Sequence, residues 1–294
     1  MANLKAIRIR ITSVKSTRQI TSAMKMVSAA KLRKAQDKIV RLRPYANKLH
    51  EILVGLTQSL GDSELDNIYG RISSPEKILI VVVTSNRGLC GAFNTNVIKE
   101  VRKIISEKYY EQYGKGNLTL LTIGKKGFDY FRKQKVNMLP EQNNLLHDLT
   151  FDNVASVAEQ VMISFTSGEF DRVEIVYNQF KNAAVQNLTH ESFLPVEIAQ
   201  PGKVKISPAD YIYEPNKEDI VKELIPKSLK IQFYKAVLDS FVAEHGARMT
   251  SMHKATDNAT SMIRDLTLQY NKARQATITN QILEVVSGAE ALRG

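Results

Sequence analysis

Both ends of this chain carry side chains at coiled-coil spacing, and the two ends read as partners. From Ala35 the steps through Ile39, Leu42, Ala46, Leu49, Leu53, Leu56 and Leu60 alternate four and three, which lines a single stripe of a helix. From Leu238 the same alternation runs through Val242, His245, Met249, Met252, Thr256, Ala259, Ile263, Leu266, Tyr270 and Ala273. Such a stripe needs another helix to cover it. The segment between the ends has a different pattern. The spacing therefore predicts a chain that climbs one long helix, passes through a globular domain and returns antiparallel along itself. That is a rod with a head, a mechanical shape more than a catalytic one.

Charge is concentrated on the first of these helices. Residues 1–60 hold 13 Lys or Arg against two acids, Asp37 and Glu51, a net +11 that equals the charge of all 294 residues. The remainder is neutral overall. A neutral body with a cationic rod expects an acidic partner along that rod. Four readings fit this stretch. It could be an organellar transit peptide, a nucleic-acid arm, a bearing surface inside an acidic protein collar, or a solvated basic helix face. Against the first, the helical period continues past any plausible cleavage point. Against the second, no aromatic residue precedes Tyr45 to stack on bases. The single Cys90 excludes an internal disulfide and fits a reducing compartment. The longest aliphatic run, Ile78 to Val83, is far too short to span a bilayer. No histidine pair has zinc spacing.

The pattern divides the chain into four parts: a shaft helix within 1–60, a linker over 61–76, an α/β domain over 77–215, and a second shaft helix within 216–294. The first helix is expected over about residues 3–59, with a kink at Pro44. Between Lys15 and Lys34, Ser, Thr and Ala interrupt the strict heptad, and small side chains there permit close approach of another surface. Lys77–Thr84 reads as a strand buried on both faces. Strands are also expected at Leu118–Ile123 and Arg172–Gln179, and edge strands at Phe193–Ile198 and Lys203–Ile206. Helices are expected at Asn94–Tyr113, Phe128–Lys133 and Val154–Phe165. Alternating strands and helices imply a Rossmann-like α/β domain with a mostly parallel sheet. The final helix starts after Asn216–Asp219, accommodates Pro226 near its start, and stops near Val286 with Gly288 beyond it.

Catalytic motifs are not legible. The loop Ser85-Asn86-Arg87-Gly88-Leu89-Cys90-Gly91 opens a helix after a strand, where phosphates bind in α/β folds. It lacks the spacing and the Gly-Lys-Ser/Thr ending of a phosphate-binding loop and is no dinucleotide fingerprint. Tight strand-to-helix turning explains it better, and the same holds for Gly124-Lys125-Lys126-Gly127. No cofactor, metal ligand or catalytic residue is assigned. Met24, Met26, Met249, Met252 and Met262 fall at helical positions, mostly as seam filler, and methionine also suits a surface that slides against changing partners.

The run from Ile20 through Met24, Lys25 and Met26 to Ala29-Ala30-Lys31-Leu32 resembles the gamma subunit of F-type ATP synthases. So do Ala247-Arg248-Met249, Ala255-Thr256-Asp257-Asn258-Ala259, Tyr270 through Arg274-Gln275-Ala276, Ile278-Thr279 with Gly288-Ala289, and the loop from Ser85 to Asn94. The resemblance spans nearly the whole chain and is strongest at both ends. One position departs: Gln281 stands where the family's signature usually has Glu, so an ion pair from that Glu is not carried over, while Glu284 matches the next acidic position. The chain also has no room for the thiol-regulated insertion of chloroplast relatives.

The resemblance implies a non-catalytic central rotor shaft standing inside a ring of alternating alpha and beta subunits. Its head would bind the epsilon subunit and the membrane ring of c subunits. Proton flow would turn the ring and the shaft together, driving ATP synthesis at the beta subunits. By similarity, Met24 and Lys25 would meet the acidic lever of beta, and Arg274, Gln275 and Thr279 the beta catch loop. The cationic first helix then has an acidic neighbour. The location implied is peripheral, on the cytoplasmic face of a bacterial inner membrane, with the matrix side of the mitochondrial inner membrane as alternative. The absence of a separate leader before the family match favours a bacterial source. The rival from another class is a basic coiled-coil protein that binds nucleic acid with steep salt dependence. An enzyme acting through the α/β head is a third reading.

Overall fold

The computed structural model describes residues 4–60, 68–70, 74–196 and 217–292. The expected strand at Lys203–Ile206, and the part of Phe193–Ile198 beyond Val196, lie outside the described residues. The elements are α1 (Leu4–Leu60), β1 (Ile78–Val83), α2 (Phe93–Glu107), α3 (Tyr110–Gly114), β2 (Leu118–Ile123), α4 (Lys125–Phe131), β3 (Asn137–Met138), α5 (Phe151–Thr166), β4 (Arg172–Phe180), β5 (Gln186–Leu194) and α6 (Lys217–Ala291). The fold is mixed α/β, with two long terminal helices that pack together and a mostly parallel sheet. Contacts divide the chain into two units, Met1–Ala29 with Arg248–Gly294, and Ala30–Ala247.

The terminal unit is an antiparallel helix pair. Along α6 the partly or fully buried positions from Thr256 onward are Ala259, Ile263, Leu266, Tyr270, Ala273 and Thr277, the four–three alternation expected of a seam. On α1 the matching positions are Leu4, Ile7, Ile11, Val14, Thr21, Lys25 and Ser28. Thr256 Oγ1 donates to Thr21 Oγ1 at 2.9 Å, which fixes the register. The expected interruption of the heptad between Lys15 and Lys34 shows as polar seam positions, with Arg18 exposed between Val14 and Thr21. Thr21 and Ser28 occupy seam positions at 9% and 3% exposure, and the threonine pair converts a loss of apolar area into a hydrogen bond. Small side chains make that distance reachable.

The larger unit is built on a five-stranded sheet in the order β3-β2-β1-β4-β5. β1 pairs in parallel with β2 and β4, β2 with β3, and β5 closes the sheet antiparallel to β4. Every residue of β1 is buried. Its Ile78, Ile80 and Val82 meet Val97, Val101, Ile104 and Ile105 of α2, together with Tyr109 and Phe131. The alternate residues Leu79, Val81 and Val83 are equally buried, so both faces of the sheet are covered, as an unalternating apolar strand requires.

In this unit α6 is more than one wall of a two-helix seam. From Phe233 to Ala247 nearly every side chain is buried, whereas a two-helix seam would bury one stripe. Contacts come from several directions: Phe233 meets Phe193 of β5, Tyr234 meets Phe151 of α5, and Lys230 Nζ lies 3.2 Å from Glu159. The seam reading from Leu238 to His245 is corrected accordingly: this stretch is a core helix.

Three boundaries also differ from expectation. The helix expected over Asn94–Tyr113 divides into α2 and α3 around Lys108 and Tyr109, which turn inward to a buried carboxylate. α6 runs on to Ala291 through Gly288, which has open space around it, so the glycine costs the helix only about 1 kcal/mol. β5 is nine residues long, where an edge strand was expected only from Phe193.

Candidate functional site

In an open α/β sheet, ligands bind beyond the carboxyl ends of the strands where the connections reverse direction, here between β1 and β4. The chain fills that place itself. Cys90 and Phe93, from the loop after β1 and the start of α2, pack with Ala243 and Ala247 of α6 and with Phe180 of β4. Asn178 Nδ2 donates to the Phe93 carbonyl at 3.2 Å. Gly246 permits the close fit: a Cβ there would stand 3.2 Å from Ala183 Cα.

The loop after β1 spends its polar groups internally. Ser85 N donates to Asn94 Oδ1 at 2.9 Å, and Asn94 Nδ2 donates to Ser85 Oγ at 2.8 Å. Asn86 Nδ2 donates to the Asn143 carbonyl at 2.8 Å, and Asn86 Oδ1 accepts from Lys125 N at 3.0 Å. The two glycine-containing loops thus interlock. Gly127 N donates to Thr84 Oγ1 at 2.9 Å. Gly124 has φ 101°, and a Cβ on it would lie 2.2 Å from the Thr84 carbonyl oxygen, so only glycine fits. This is the tight turning expected, not a phosphate cradle. Its outward product is Leu89, a non-glycine residue at φ 65° with 63% of its surface exposed.

The sequence-derived contact residues lie in the terminal unit, in two groups. Met24 and Lys25 are half-buried beside α6. Lys25 Nζ is 3.5 Å from His253 Nδ1, and the same ring nitrogen is 3.5 Å from Asp257 Oδ2. Arg274, Gln275 and Thr279 are exposed on successive turns of α6. The groups stand roughly 30 Å apart along the helix axis at 1.5 Å per residue. By the register set by Thr21 and Thr256, Leu4 at the start of α1 stands level with Ala273. Every residue of α6 from 278 to 291 is accordingly exposed, including Ile278, Ile282, Leu283, Val285 and Val286. Gln281 and Glu284 lie on this exposed end. An apolar helix end of this size signals an interaction surface, and residues 1–29 beside it carry six Lys or Arg and no acid.

Two buried charge clusters were not foreseen. Glu174, in the middle of β4 and 1% exposed, accepts hydrogen bonds from Lys108 and Tyr109 and lies 2.6 Å from His190 Nε2 of β5. Burial alone raises its pKa, but the bonds from His190, Lys108 and Tyr109 outweigh burial and hold it at about 2. Asp239 of α6 is fully buried, 3.3 Å from Arg43 Nη2, which also donates to the Phe180 carbonyl at 3.3 Å. Burial raises the Asp239 pKa, and Arg43 opposes the shift. Both acids were visible as charges inside apolar runs, Val173–Ile175 and Phe233–Ala243. Among the described residues no group of His, Cys, Asp or Glu is placed to hold a metal ion, and no helix is long and apolar enough to cross a membrane.

The sequence pattern of the family described as ATP synthase matches residues 3–292. The chain is 55% identical to the ATP synthase gamma chain of Flavobacterium psychrophilum, covering 100% of both chains. It is 45% identical to that of Geobacter metallireducens, again over 100% of each. Among solved structures it is similar to a chain of the Euglena gracilis mitochondrial ATP synthase in rotational state 3. That match has 22% identity and a TM-score of 0.66, covering 98% of this chain and 94% of the other. A chain of the rotor of the Euglena enzyme in rotational state 1 matches with a TM-score of 0.60 at 22% identity, over 94% and 98%.

Proposed function

The chain belongs to the ATP synthase gamma-chain family, the central stalk of the rotor, and from that premise we propose that it works as a non-catalytic shaft. Residues 1–60 and 216–294 serve as the shaft and 77–215 as the head. Its neighbours are the alpha and beta subunits around the shaft, and the epsilon subunit and c-ring at the head, on the cytoplasmic face of a bacterial inner membrane. The observation that supports this best is the helix pair of the terminal unit: a cationic α1 packed on α6, whose end from Ile278 to Ala291 is exposed and carries Ile278, Ile282, Leu283, Val285 and Val286.

The physics needs no active site on this chain. A shaft couples two equilibria only if it contacts the catalytic states differently, because equal contact shifts nothing. The terminal unit has unequal sides: α1 is cationic, and the end of α6 is apolar and exposed. Met24 and Lys25 meet the acidic lever of beta lower on the shaft, with Lys25 divided between that acid and His253. Arg274, Gln275 and Thr279 meet the catch loop near its end. A packed pair resists twisting better than one helix, and the seam supplies the packing. Tagging the chain and purifying it from membranes tests the assignment. One copy per ring of catalytic subunits is expected; free chain, or a copy in every catalytic subunit, would overturn it.

A further inference from the structure

One face of the α/β unit carries a concavity that the shaft reading does not use. It has a volume of about 490 Å³, within the range of small-ligand sites, about 300–1,000 Å³. Lys99, Arg102 and Lys103 of α2 stand at i, i+3 and i+4, one face of a helix, and line one side. Tyr110 and Tyr113 of α3, again at i and i+3, line it as well, and Phe131, 1% exposed, is its apolar floor. No carboxylate lines it. Lys103 Nζ lies 3.9 Å from Glu107. Arg102 Nη1 donates to Tyr130 OH at 3.4 Å, which holds the guanidinium at the rim. Tyr110 is 72% exposed, leaving its ring face open to a planar partner.

We propose that this concavity binds a nucleoside diphosphate, its base on the Tyr110 and Tyr113 rings and its phosphates on Lys99, Arg102 and Lys103. The warrant is the combination. Aromatic faces stack bases of any sequence, and Arg and Lys are the usual partners of phosphate. Three cations also match the multiple charge of a diphosphate. Either half alone would give only a surface patch.

The test uses the full-length chain, free of other nucleotide-binding subunits, with photoreactive 8-azido-ADP as probe and peptide mapping as readout. Labelling is expected on the segment 110–113. ADP should compete, and adenosine or pyrophosphate should each compete about tenfold less well. Lys99→Glu with Arg102→Glu, both at the exposed rim, should weaken competition by ADP at least about tenfold, and Tyr110→Ala should abolish the advantage of ADP over pyrophosphate. Labelling elsewhere, pyrophosphate competing as well as ADP, or indifference to the charge reversal would overturn the proposal.

Discussion

Truncating Leu266 isolates what the shaft seam is worth. Leu266 is 6% exposed in the terminal helix pair, and Leu268, two residues on, is 62% exposed. The two differ in environment and not in chemistry. Leu266→Ala removes buried methyl groups between two helices, and the gap left opens partly to water. The cost therefore falls at the low end of the Leu→Ala range, about 2 kcal/mol. Leu268→Ala should stay within about 0.5 kcal/mol. Leu266→Asp adds the cost of placing a carboxylate in the apolar seam, for about 4 kcal/mol in all. Urea unfolding of the full chain, followed by helical circular dichroism, reads the first two. Proton-driven ATP synthesis by assembled enzyme reads the third, which should lose coupling efficiency. Equal effects of the two alanine variants, or undiminished synthesis with Leu266→Asp, would refute the seam as the source of stiffness.

Four further outcomes follow from the geometry. Glu174 has a pKa lowered to about 2, so its contribution is present above the unfolded value near 4.5 and is lost as pH falls from there towards 2. It amounts to about 3 kcal/mol, and Glu174→Gln should remove that acid-dependent loss from urea titrations. Arg43→Ala should cost about 2 kcal/mol near neutral pH, less than a fully buried pair because Arg43 is itself 43% exposed. It should raise the Asp239 pKa further, so that the deficit grows with rising pH, and adding Asp239→Asn should recover most of it. Gly124→Ala should cost about 4 kcal/mol, since backbone strain at φ 101° adds to the overlap with Thr84; a small change in the unfolding midpoint would contradict the interlocked-loop account. Alanine at both Arg274 and Gln275 should leave the isolated chain's stability unchanged and lower hydrolysis or assembly in the complex; normal values for both would end their assignment as contacts.

Much of this was legible because helical spacing survives changes of residue type. The alternation from Met249 to Ala273 is the same in sequence and structure, and it continues one step to Thr277. Around Thr21 and Ser28 the spacing persisted while hydrophobicity fell, so a reading weighted to apolar residues saw an interruption. β1 and β2 were plain because buried parallel strands are continuous apolar runs. β5 was not: Asn187, Thr189, His190 and Glu191 belong to an edge strand whose pairing with β4 overrides weak propensity. The core role of α6 was hidden for a related reason. Asp239, Glu244 and His245 look like a solvated face until tertiary contacts close around them. The contact residues came from resemblance to a family, since spacing alone does not say what touches an exposed arginine.

Rotation of this chain within the assembled enzyme is the most direct measurement. Cys90 is 2% exposed, so Lys115→Cys on the exposed end of α3 would supply the single accessible thiol for an optical probe. With the catalytic ring immobilised and ATP supplied, the probe should turn in one direction, in step with hydrolysis. Hydrolysis at full rate with the probe held at one orientation would contradict the account.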